Sequence, residues 1–150
     1  MKTLATLLLT ITVTLGALLC AGFAAPQSAA GDTRFVAYDV FVDAGATPLA
    51  AWQVELSDPT SRATIVGVEG GEHAEFKAPP HYDPRALSQG RIVLAAFSTA
   101  DALPTGQTRV ARVHVQVRGP EPVDWQATLV TAGGFDGQPV DASLELIHSR

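Results

Sequence analysis

The sequence predicts an all-β fold, an antiparallel β-sandwich of about nine strands. Three observations carry this. Apolar residues recur with a period of two in most segments after residue 33. Glycine- and proline-bearing turn signals separate these runs at short intervals. No segment shows a helical period. Alternation marks a strand with one buried and one wet face, and short strands set apart by such turns point to a sandwich or barrel.

The elements follow in chain order. In 35–42, Val36, Tyr38, Val40 and Val42 share one face, with Asp39 on the other. In 48–56, Ala50, Trp52, Val54 and Leu56 oppose Gln53 and Glu55, and Trp52 is therefore expected in the core. A third run covers 63–68. The segment 91–98 differs, because Ile92 to Phe97 is apolar throughout, which predicts a central strand covered on both faces. In 109–117, Ala111, Val113, Val115 and Val117 oppose Arg112, His114 and Gln116. The segment 125–131 is a further strand, with Trp125 expected in the core. In 140–146, Val140, Ala142, Leu144 and Leu146 share a face, and His148 falls in an exposed tail. Between them lie Asp43-Ala44-Gly45, Asp58-Pro59, Gly70-Gly71, Ser88-Gln89-Gly90, Pro104-Thr105-Gly106, Gly119-Pro120 and Gly133-Gly134. Asp83 to Leu87 can form one helical turn.

Composition bounds the function. The 150 residues are 47% hydrophobic and 17% charged, with a net charge of −5 and one cysteine. That is too apolar for a disordered chain and too acidic for a nucleic-acid binder. A single cysteine excludes a disulfide framework and a multi-thiolate metal site. The chain opens as a leader. Lys2 is the only charge before Asp32, an uncharged, mostly apolar run from Leu4 to Cys20 follows it, and small residues come next. This pattern predicts a secretory signal peptide over 1–30 and a working domain over 31–150, placed in the periplasm, on the cell surface or outside the cell. Cleavage after Ala24 or Ala30 fits small residues at −3 and −1. Membrane attachment is expected only if Cys20 is lipidated, and Leu19 before it is a poor lipobox residue.

The order of these motifs resembles the cohesin domain, a jelly-roll β-sandwich of the wider carbohydrate-binding-domain superfamily. Val36 to Val42 looks like its opening strand. Leu49 to Pro59 resembles the small-aromatic-x-x-x-L strand that ends in an Asp-Pro turn. Ala63 to Gly71 resembles the next strand and its exit, and Gly90 to Phe97 the G-x-I-x-x-x-x-F strand. Gly106 and Val110 to Val117, then Asp136-Gly137 and the final strand, complete a match over about 34–147. Tandem copies and long Thr/Pro linkers are not present in this sequence. The resemblance implies a non-catalytic module that binds a protein partner, dockerin-like or other, through a flat sheet face. Strands 63–68, 91–97 and 109–117 are expected to supply that face, with Arg91, Arg112, His114 and Gln116 as outward candidates. A solvated sheet face is the plainer reading of the same residues.

One segment exceeds strand and turn grammar. Gly70 to Pro84 holds two histidines, Phe76, Tyr82, three acids and three prolines. Glu72, His73, Glu75, His81 and Asp83 carry groups that suit a divalent metal, but they match no compact ligand motif. No cofactor is expected; calcium is the one candidate left open, and no calcium-binding motif supports it. Glycosidase chemistry would need two carboxylates across a cleft, and acyl transfer would need a nucleophile motif that this chain lacks. Phe76 and Tyr82 could stack on a sugar or anchor a protein, with Pro79-Pro80 stiffening the loop. Alternatively they plug the end of the sandwich. The candidate binding set is therefore Glu72, His73, Phe76, His81, Tyr82, Asp83, Arg91, Arg112, His114 and Gln116. The expected function is an exported protein-interaction module, with a polysaccharide-binding module as the alternative and a metal-dependent or glycoside-acting enzyme as a more distant one.

Overall fold

The computed structural model describes residues 32–149. The expected leader, its cleavage points and Cys20 lie outside the described residues. Among the described residues seven strands form: β1 (Thr33–Asp43), β2 (Ala51–Ser57), β3 (Ala63–Gly70), β4 (Arg91–Phe97), β5 (Gln107–Arg118), β6 (Gln126–Gly133) and β7 (Ser143–Ser149). They make two antiparallel sheets, ordered β3–β5–β1–β7 and β4–β2–β6.

The alternation sets the core. Val40, Val42, Ile65, Val113 and Val115 from the larger sheet meet Trp52, Val54, Leu56, Ile92 and Leu94 from the smaller, all buried. Each such side chain contributes about 1.5–3 kcal/mol on burial. One irregularity interrupts the parity. Val40 pairs with Ala111 and Phe41 with Arg109, so Val110 has no opposite residue in β1. Val110 and Ala111 are consequently both buried.

Three expectations change. The strand count is seven rather than about nine. Two further pairings shrink to single bridges, His81 with Ala95 and Gly133 with Pro139. Prolines at 79, 80, 84 and 139 lack the amides that longer ladders need. Second, the apolar strand 91–97 is not central: β2 is, and among the described residues β4 is hydrogen-bonded to β2 on one side and to His81 alone on the other. Only Ile92 and Leu94 are fully buried, whereas Phe97 is 78% exposed. Third, the strands expected to share one binding face are divided, β3 and β5 in one sheet and β4 in the other. Alternation tells which residues share a face of a strand but not which strands share a sheet.

Asp58 organises the β2–β3 turn. Its Oδ1 accepts from the Thr60 amide at 2.9 Å and the Thr60 hydroxyl at 2.5 Å. Its Oδ2 accepts from the amides of Arg62 at 2.8 Å and Ala63 at 2.7 Å. Burial pushes this carboxyl up, but the four donors outweigh that and hold it below its ordinary value of 3.8. The expected helical turn is a 3-10 turn, Pro84–Ala86, capped by Asp83, whose Oδ1 accepts from the Arg85 amide at 2.9 Å.

Candidate docking face

The sandwich presents two outer sheet faces, and they differ in how their polar groups are committed. On β3–β5–β1–β7, register places Arg112 between Asp39 and Glu69. Arg112 grips Asp39 with both prongs, Nε to Oδ1 at 2.7 Å and Nη2 to Oδ2 at 3.0 Å, and Arg109 Nη1 lies 3.6 Å from the same carboxylate. The Arg112 hydrogen bond, against burial and with help from Ser149, Arg112 charge and Arg109, lowers the Asp39 pKa. His114 Nε2 sits 2.8 Å from Glu69 Oε1, and Gln107 donates to Glu145 at 2.8 Å. Gln116 pairs across to Thr64 and Phe35. Most charged groups on this face thus have partners within the fold.

The β4–β2–β6 face is built differently. Its outward rows run Phe97–Ala51–Gly133, then Ala95–Gln53–Thr131, then Val93–Glu55–Thr128. Small and uncharged residues form the floor, and Phe97 at 78% and Val130 at 49% stand exposed. Its one ion pair, Arg91 to Glu55 at 2.8 Å, lies toward the opposite end from Phe97.

A wall borders this face beside β4. The chain leaves β3 at Gly70-Gly71, turns through the 3-10 helix Ala74–Phe76, and returns along Pro79-Pro80-His81. The Gly71 amide donates to the Phe76 carbonyl at 2.6 Å. Glu75 accepts from the Ser98 hydroxyl at 2.6 Å. His81 exchanges two backbone bonds with Ala95, at 2.7 and 3.0 Å. Between wall and sheet runs a groove of about 480 Å³ lined by Pro79, Pro80, His81, Gln53, Ala95 and Phe97, among others. Proline-stiffened backbone loses little freedom when something docks on it.

The expected site residues therefore separate. Phe76 is 2% exposed and stacks edge-on against Trp52 at 6.2 Å between centroids, so it belongs to the core and offers no surface to a partner. Trp52 is in the core as expected. Glu72 accepts from the Arg109 amide at 3.1 Å, and His73 Nδ1 accepts from the Glu75 amide at 3.3 Å, so both hold the wall's entry in place. Tyr82 is half-buried against the core. Asp83 is exposed and paired with Arg85 at 3.0 Å; that hydrogen bond lowers its pKa. His81 and Arg91 border the β4–β2–β6 face, whereas Arg112, His114 and Gln116 lie on the opposite face of the molecule. Among the described residues, no group of three or more His, Cys, Asp or Glu converges as a metal site would require. The sequence reading missed Phe97, Gln53, Val130 and Thr131. Parity within 91–97 could have found Phe97, since Ile92, Leu94 and Ala96 share one face and Val93, Ala95 and Phe97 the other.

No family model and no curated protein matches the sequence. Solved structures do resemble the fold. One is a chain of the CaDoc0917–CaCohA2 complex, a cohesin–dockerin pair, with a TM-score of 0.54, 13% identity, and 74% of this chain and 83% of that chain covered. Another is a non-cellulosomal cohesin from the hyperthermophilic archaeon Archaeoglobus fulgidus, with a TM-score of 0.51, 16% identity, and 74% of each chain covered. The protein has a cohesin-like fold.

Proposed function

We propose that the protein is an exported, non-catalytic interaction module that docks a protein partner of the dockerin type on the outer face of β4–β2–β6. The contrast between the two faces carries the choice. A partner on β3–β5–β1–β7 would have to desolvate the Asp39–Arg112 and Glu69–His114 pairs, which costs more than it returns unless each is matched anew. A partner on β4–β2–β6 covers Phe97, Val130 and a small-residue floor whose one ion pair, Arg91–Glu55, lies at the far end; the other face also exposes Phe35 and Ile147, so it is the depletion of charge, as in an interface core, that separates the two. The fold's likeness to cohesins, one of them solved in a complex with a dockerin, supports a protein as the occupant. The leader-like residues 1–30 support export and a working domain over 31–150. A polysaccharide partner on this face would call for a row of exposed aromatics, and Phe97 stands without one in its outward rows.

The test is titration with purified dockerin modules by calorimetry. Phe97→Ser is expected to weaken binding about 10–30-fold, the effect of removing an aromatic anchor. Gln116→Ala, on the other face, is expected to leave affinity unchanged. Unchanged binding by Phe97→Ser with loss in Gln116→Ala would overturn the assignment of the face.

A further inference from the structure

The two sheets have edges at β3, β7, β4 and β6, and these edges are guarded unequally. On β3, the Ile65 amide donates to the Gln89 carbonyl at 2.8 Å, and the Ile65 carbonyl accepts from the Ser88 amide at 2.7 Å. The edge of β4 is met by His81, with prolines on either side of it. The strand β7 carries Glu145 and His148. Charge, proline and a covering segment are the usual protections of a strand edge. The strand β6 has none of them along 126–131. It contains no ionisable side chain and no proline. Its last residues are covered, since the Val140 amide donates to the Ala132 carbonyl at 2.9 Å and Gly133 is bridged to Pro139. Among the described residues, nothing pairs with 126–131 on the side away from β2.

The inner side of this edge is also uncovered. Ala127 lies opposite Leu56, which is fully buried, so it has inner-face parity, yet it is exposed. Leu129, opposite Val54, is only half-buried, as are Leu144 and Leu146 on β7. A cleft of about 670 Å³ opens here, with Ala127, Leu146 and Val36 in its lining. The sandwich is thus closed beside β3 and β4 by returning chain, and open between β6 and β7.

We propose that a second copy of this chain lays its β6 antiparallel to β6, about a two-fold axis at Thr128, joining the two three-stranded sheets into one of six. The segment complements itself. Opposed residues of an antiparallel pair share a face, so Thr128 meets the partner's Thr128 on the outer side, a favourable cross-strand pair. On the inner side the small Ala127 meets the partner's Leu129, which covers the mouth of the cleft. Electrostatics favour the same strip. Two copies that each carry a net charge of −5 repel, and an uncharged strand lets them meet without setting acids together. The extra residue Val130, which has no opposite residue in β2, lies beyond this centre. The outer face of β4–β2–β6 stays free, so the pairing does not rest on the docking assignment.

Sedimentation velocity of the purified protein over a range of concentrations tests this. A reversible dimer is expected, with half-dissociation on the order of 10 μM, as suits a small interface. Thr128→Lys sets two like charges face to face on the axis and is expected to weaken association at least about tenfold. Gln116→Lys adds the same charge to the other sheet and should leave it unchanged. In a Cys20→Ser background, which removes the one native thiol, Thr128→Cys is expected to give a disulfide-linked dimer under mild oxidation. Opposed Cα atoms in such a pair stand about 4.5–5.5 Å apart, within disulfide reach. Gln116→Cys in the same background should stay uncrosslinked. If Thr128→Lys does not fold, Thr128→Cys decides. A monomer at every concentration, a dimer that Thr128→Lys leaves intact, or crosslinking of Thr128→Cys no greater than that of Gln116→Cys would each overturn the proposal.

Discussion

Replacing Asp58 with alanine is expected to lower the unfolding free energy by about 3 kcal/mol, because a buried carboxylate that accepts four hydrogen bonds is removed. The three backbone amides and the Thr60 hydroxyl that it holds would lose their acceptor, and the turn that sets β2 against β3 would lose its brace. For a domain of this size the shift corresponds to roughly 10–15 °C in Tm. Asp58→Asn should cost less, since one oxygen remains to accept while its amide group faces donors. Thermal and urea unfolding of both variants measure the effect.

The pH dependence follows from the same geometry. The folded-state pKa of Asp58 is lowered, so its contribution is fully present above the unfolded value and is lost as pH falls through the folded one. Asp39, lowered by Arg112, acts in the same direction. Stability is thus expected to fall steadily below about pH 4, with a shallower fall in Asp58→Asn. An equal acid slope in the two proteins would contradict this role.

Gly71→Ala is expected to destabilise by about 3 kcal/mol, near the top of the usual range for overpacking. A Cβ at Gly71 would overlap the Arg109 carbonyl oxygen and come within 2.9 Å of the Val110 Cα. Both are backbone atoms of β5, which β1 and β3 hold on either side, so neither can move aside. Gly70 is similarly placed, with the Ala78 carbonyl oxygen 2.5 Å from where its Cβ would stand. The variant's relief is to lift the segment that begins at Gly71, which carries the wall of the docking face. Urea unfolding checks the stability loss. Faster exchange of the His81 and Ala95 amides, which bond each other's carbonyls, checks the displacement. Wild-type stability in Gly71→Ala would show that β5 yields more than its pairing implies.

These glycines illustrate what was legible and what was not. Gly70-Gly71 marks the end of a strand in the sequence, and a strand does end there. The reason at Gly71 is contact with β5 backbone distant in sequence, and at Gly70 contact with the returning wall at Lys77 and Ala78, neither of which a strand-and-turn pattern carries. The faces of β1, β2 and β5 were legible from Val36 to Val42, Ala50 to Leu56 and Ala111 to Val117, because one side of each is wet and the alternation records it. The 83–87 turn was legible because Asp83 followed by Pro84 is capping chemistry. The extra residue at Val110 was hidden, since an added valine looks like more core. The unbroken run Ile92 to Phe97 concealed a strand at the sheet's edge, because an exposed phenylalanine at its outward parity reads as a buried one. With that strand misplaced, Arg91 was grouped with Arg112, His114 and Gln116 across the thickness of the sandwich. Phe76 and Tyr82 drew attention as aromatics, while the aromatic that a partner would cover is Phe97.

The most direct test of the central claim is amide chemical-shift mapping of the protein titrated with a binding dockerin module. The expected result is saturable perturbation confined to β4, β2, β6 and the wall around 79–83, with Ala95, Phe97, Gln53 and Thr131 among the largest shifts. Saturable binding whose perturbations centre instead on Arg112, His114 and Gln116 would contradict it.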